Sequence, residues 1–92
     1  MSLMMRSDSE IQRARAIARG YPTGCLVVHE MGTDNVFYKN VHTNKEIKTN
    51  YTAEQVEIAH RDIPPTDPDH LEWEHGNSMI QNRYQVYKVN GK

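Results

Sequence analysis

Cys25-Leu26-Val27-Val28-His29-Glu30, Gly32-Thr33-Asp34-Asn35 and Val36-Phe37-Tyr38-Lys39-Asn40-Val41 are the stretch that decides the fold. The first and third runs are dense in β-branched and aromatic residues, which suit a pleated, half-buried surface. Between them, glycine tolerates positive φ, while aspartate and asparagine bond their own backbone, so the four residues predict a tight turn. His42-Thr43-Asn44-Lys45 predicts a second turn. Beyond it Ile47, Thr49 and Tyr51 alternate with Glu46, Lys48 and Asn50, the period-2 pattern of a strand with one wet face. Residues 25–51 therefore read as a three-stranded antiparallel meander.

Upstream, Ser7 with Glu10 three residues later makes a capping box ahead of Ile11-Gln12-Arg13-Ala14-Arg15-Ala16-Ile17-Ala18-Arg19. Ile11, Ala14 and Ala18 fall on one helical face with Ile17 beside them, and Gly20 and Pro22 stop the helix. Downstream, Thr52 and Gln55 form a second capping box, predicting a helix from Ala53 to about Arg61. The alternation of Val56 and Ile58 also fits a strand. Asp67-Pro68-Asp69 followed by His75-Gly76 carries helix start and stop signals, predicting two turns over 67–76 with Leu71 and Trp73 as apolar anchors. Arg83 to Val89 alternates on two faces and is expected to return to the sheet as a fourth strand, giving α-β-β-β-α-α-β.

The chain has 92 residues, 37% of them hydrophobic, with a net charge of -1. That is one α+β domain with a small core, over 1–92, with 1–6 expected to be disordered or tag-derived. The longest apolar run, Cys25 to Val28, is far short of the ~20 residues a membrane helix needs, and no secretory signal is visible. Cys25 is the lone cysteine, so no internal disulfide forms and a cytoplasmic setting is expected. Charge is divided along the sequence: residues 1–24 carry +2, 25–51 zero, 52–76 a dense −6 and 77–92 +3. The acidic segment either attracts the basic ends within the monomer or faces a basic partner.

Several constellations bear on chemistry. His60, Asp62, Asp67, Asp69, His70, Glu72, Glu74 and His75 crowd the second half, and convergence of three would suit a metal-dependent hydrolase. On a helix, however, His70 and His75 diverge by roughly 140°, so no metal or cofactor is expected. Cys25 and His29 suggest a nucleophile and base, yet on a strand they lie roughly 13 Å apart. No glycine-rich phosphate loop occurs. Arg6, Arg13, Arg15 and Arg19 make the first helix the best nucleic-acid candidate.

Gly24, the Gly32 turn and the run Phe37-Tyr38-Lys39-Asn40-Val41-His42-Thr43-Asn44-Lys45-Glu46-Ile47 resemble the middle of a WW domain. The resemblance spans about a quarter of the chain and implies a three-stranded meander. Cys25 stands where that family has its first tryptophan, no aromatic pair lies near Lys48, and Asn50 occupies the region of the closing proline. Because those residues grip proline ligands, that activity is not implied here.

The aromatic residues exceed what a small core hides, and Tyr and Trp make good contact anchors. The favoured expectation is a non-enzymatic protein-binding or regulatory module of the kind carried by phages and mobile elements. Its contacts would be Tyr38, Trp73, Tyr84, Tyr87, Glu72 and Glu74; its partner would be another, basic protein or a second copy pairing with an edge strand such as Arg83–Val89. Nucleic-acid binding through the first helix is the alternative, a small hydrolase the next, and no membrane is involved.

Overall fold

The computed structural model describes residues 7–74 and 83–90. The expectation for residues 1–6 and the predicted stop at His75-Gly76 lie outside those residues. The first helix, α1 (Asp8–Arg19), starts at the capping box as expected: Ser7 accepts from the Glu10 N–H, and the Glu10 carboxylate accepts from the Ser7 N–H at 3.1 Å. Gly20 follows it with φ −90°, so its role is not a left-handed turn. A Cβ there would lie 3.3 Å from the Tyr38 hydroxyl and 3.4 Å from that of Tyr51, and glycine leaves room for both.

That meander consists of β1 (Cys25–Glu30), β2 (Val36–Asn40) and β3 (Glu46–Lys48). Gly24 at φ +86° and Gly32 at φ +81° supply the positive dihedrals on either side of β1. β3 is shorter than its alternating sequence suggests. The last ladder bond is made just past it by Thr49, whose hydroxyl joins its N–H in donating to the Val36 carbonyl, at 2.7 Å. The second helix, α2 (Ala53–Arg61), starts at the Thr52–Gln55 capping box, and this settles residues 53–61 as helix.

Residues 67–76 require a correction. Instead of the first part of a two-turn helix, residues 67–74 form turns and then a short strand, β4 (Leu71–Trp73). The Asp67 carboxylate accepts from the Asp69 N–H at 2.9 Å, as in an Asx turn, and His70 N–H returns to the Asp67 carbonyl. A helix cap and an Asx turn draw on the same residue types, so the local signals were shared. Leu71 and Trp73 then alternate with Glu72 at the strand period.

The last strand, β5 (Tyr84–Val89), returns to the sheet but not at its edge. The strand order is β3-β2-β1-β5-β4, with every neighbouring pair antiparallel. Val27 pairs with Tyr38 on one side and Tyr87 on the other. Arg83–Val89 is therefore unavailable for edge pairing: β1 and β4 occupy its two sides.

One sheet face is covered by the helices. Ala14, Ile17 and Ala18 from α1 and Val56, Ile58 and Ala59 from α2 pack with Cys25, Val27, Val36, Tyr38, Leu71, Tyr87 and Val89. Full burial of a Val or Ile side chain contributes roughly 1.5–3 kcal/mol, which makes this layer the main source of stability. On the opposite face Leu26, Val28, Phe37 and Val86 form a second cluster beside Tyr84. Among the described residues neither helix contributes to it. No helix among those residues is long and apolar enough to cross a membrane.

Candidate functional site

The two outer strands of an open sheet carry backbone groups that the sheet itself does not use. At β3 the pairing shows which ones. Asn40 N–H donates to the Lys45 carbonyl at 2.9 Å, and Thr49 N–H donates to the Val36 carbonyl at 3.1 Å. Since hydrogen-bonded positions alternate in an antiparallel ladder, Lys45, Ile47 and Thr49 turn their N–H and C=O toward β2. Those of Glu46 and Lys48 consequently point away from the sheet. Among the described residues no donor or acceptor meets them. All three β3 side chains are exposed, and Ile47 retains 49% of its accessible surface. Lys39 Nζ lies 3.6 Å from the Glu46 carboxylate on the face away from the helices.

The β4 edge is different. Asn90 N–H bonds the His70 carbonyl and Glu74 N–H bonds the Val86 carbonyl, both at 2.9 Å, so Leu71 and Trp73 are the outward residues. The outward Leu71 carbonyl is already occupied: His60 of α2 donates its Nδ1–H to it at 2.8 Å. A carbonyl only accepts, so this contact fixes the proton on Nδ1. The imidazole is wedged among rings, 5.2 Å from Tyr87, 5.9 Å from His70 and 6.2 Å from Trp73 between centroids. β3 is thus the edge whose outward groups at Glu46 and Lys48 are all open, whereas β4 has its outward Leu71 carbonyl taken by a helix side chain.

Beside the open edge lies a cavity of about 280 Å³ lined by Asn35, Phe37, Glu46 and Lys48. Asn35 Nδ2 donates to Glu30 at 3.1 Å, while its buried Oδ1 has no partner among the described residues.

The expected contact residues do not share one surface. Tyr38 and Tyr87 are core residues, 5% and 2% exposed, and this corrects their expected role as surface anchors. Tyr38 donates to the Ile17 carbonyl at 2.8 Å; Tyr87 donates to Gln85 at 3.1 Å. Burial pushes the Tyr87 phenol up to about 12 and raises that of Tyr38 further. Trp73 is half-buried, 5.5 Å from Tyr87 in an edge-to-face contact. Pairing register puts Glu72 and Tyr84 on the face away from the helices, with Glu72 3.9 Å from Lys88. Glu74 follows β4 and is half-buried.

Of the arginines, Arg6 lies outside the described residues. Arg15 is held by Asp67 at 2.7 Å and Asp69 at 3.0 Å, and Arg19 by Asp69 at 3.3 Å. The acidic segment here meets the basic helix within one molecule. Hydrogen bonds from the Asp69 N–H and then from Arg15 hold the Asp67 carboxyl below the usual carboxylate range. Arg13 remains exposed but lines a groove with Glu10 and Glu54.

The hydrolytic candidates are similarly dispersed. Burial pushes the Cys25 thiol up, which disfavours thiolate. His29 bonds the Thr33 carbonyl through Nε2 at 2.8 Å, at the far end of β1. His70 is buried and donates Nδ1–H to the Ile63 carbonyl at 2.7 Å; Asp62 caps α2; His75 lies outside the described residues. Among the described residues no three His, Cys, Asp or Glu side chains gather at one point.

Glu46, Ile47 and Lys48 were absent from the expected site. A signal existed, an isoleucine between opposite charges two residues apart, but strand alternation alone accounts for it as a wet face. Comparison with protein-family models, curated proteins and solved structures finds no match.

Proposed function

We propose that this chain is a small non-enzymatic protein-binding module that takes an extended partner segment along β3. The observation that carries the reading is the outward row of N–H and C=O groups at Glu46 and Lys48, whereas at the opposite edge His60 takes the Leu71 carbonyl of β4. A strand added there gains main-chain hydrogen bonds, while side chains at alternating positions supply selectivity. Exposed Ile47 offers an apolar contact on one face, and Glu46 and Lys48 offer charges on the other. Cys25 as a buried free thiol suits a cytoplasmic setting.

Selection of displayed random peptides against the immobilised protein, followed by amide exchange of the bound complex, tests this. Binders should slow exchange at the Glu46 and Lys48 amides. Lys48→Pro removes one outward donor without touching the β2 ladder, a substitution that edge strands tolerate, and should abolish binding. A library that yields no binder, or binders indifferent to Lys48→Pro, overturns the proposal.

A further inference from the structure

We infer that the segment received by β3 is β3 of a second copy, antiparallel across a twofold axis at Ile47. This rests on the strand-pairing reading above and names its partner.

Parity limits the registers. Antiparallel ladders bond only where the outward groups of both strands face each other, and here those belong to positions 46 and 48. A twofold pairing must therefore set Glu46 against Glu46 of the copy, Lys48 against Lys48, or Glu46 against Lys48. Odd shifts would face outward groups with groups already bonded to β2. The first two registers place like charges directly opposite, which destabilises a sheet pair. The third places Glu46 opposite Lys48 twice, by symmetry, with main-chain bonds at both positions.

The side chains agree with that choice. Ile47 meets its own copy at the central non-hydrogen-bonded pair, where side chains approach most closely, and covers its exposed surface. On the other face Glu46 comes to lie between Lys39 of its own chain and Lys48 of the copy. The same arrangement answers the usual role of charged edge strands. A strand of like charges repels every copy of itself, whereas the Glu-Ile-Lys order is complementary to its own reversal. Asn44 at φ +63° belongs to the preceding turn, and β3 itself spans only Glu46–Lys48, so the seam is short. A seam of that length makes a weak dimer that depends on concentration.

Sedimentation equilibrium in low salt, from about 10 μM to about 1 mM for a weak interface, tests the inference. The mass should rise from 10.7 kDa toward twice that value. E46K alone and K48E alone should each weaken dimerisation by at least roughly tenfold, since both symmetric pairs become repulsive. The E46K/K48E double variant should recover it, and an equimolar mixture of the two single variants should form a heterodimer. Circular dichroism should be unchanged in all four. A dimer indifferent to both single reversals, or a mixture that does not associate, overturns this register. A wild-type chain that stays monomeric throughout overturns the second copy as partner, while the peptide selection judges strand pairing separately.

Discussion

His60 donates its Nδ1–H to the Leu71 carbonyl at 2.8 Å, so one helix side chain occupies an outward acceptor of the β4 edge. Without that bond the Leu71 carbonyl too would be open at the β4 border, which would then compete with β3 for a pairing strand. His60→Ala should therefore do two things. Loss of this half-buried donor leaves the Leu71 carbonyl unsatisfied, a penalty of about 1–3 kcal/mol. It also opens β4, so the variant should form larger, irregular assemblies at concentrations where the wild type does not. Light scattering beside a denaturant melt reads both. Lower stability with unchanged assembly would mean that α2 itself, not the imidazole, shields the edge.

Stability should fall at both ends of the pH range, for different residues. Asp67 has a depressed pKa in the fold, so its contribution is fully present above the ordinary carboxylate value and disappears as pH falls through the lowered one. The Tm difference between wild type and Asp67→Asn should accordingly be largest near neutrality and vanish in strong acid. Tyr87 is the opposite case. Burial pushes its phenol up to about 12 from the ordinary 10.0, so its contribution to stability is fully present below pH 10.0 and is lost as pH climbs toward 12. Tyrosinate absorbance should rise together with unfolding in that window. An acid difference independent of pH would remove Asp67 from the account.

The sequence was most readable where structure is decided locally. Ser7 with Glu10 and Thr52 with Gln55 set both helix starts, because each box closes within one turn. Gly32-Thr33-Asp34-Asn35 likewise forced β1 and β2 together. Asp67-Pro68 misled because its turn is held from outside: Arg15, more than fifty positions earlier, grips Asp67, and Asn90 Nδ2 donates to the Asp67 carbonyl at 3.1 Å. No local pattern contains those contacts. The interior place of β5 had a visible sign in its two apolar faces, Tyr84 and Val86 against Tyr87 and Val89, since a strand apolar on both faces belongs inside a sheet. The open edge was the hardest to see. It depends on which backbone groups turn outward, and that follows from register rather than from residue type.

The carboxyl end of α1 supplies the last prediction. A helix leaves its final carbonyls without intrahelical donors, and buried ones need partners from elsewhere. Here two tyrosines provide them: Tyr38 from β2 donates to the Ile17 carbonyl at 2.8 Å, and Tyr51 donates to the Ala16 carbonyl at 3.1 Å. Their rings lie 6.4 Å apart in an edge-to-face contact. The two bonds should not be equal. Ala16 also accepts from the Gly20 N–H at 2.9 Å, and Tyr51 is only half-buried, so Tyr51→Phe leaves the carbonyl satisfied. Its cost should stay near about 0.5 kcal/mol. Tyr38→Phe removes a fully buried bond and should cost about 1–3 kcal/mol, with faster amide exchange in the last turn of α1. Equal losses in urea titrations, or a larger one at Tyr51, would show that ring packing, not carbonyl capping, holds this end of the helix.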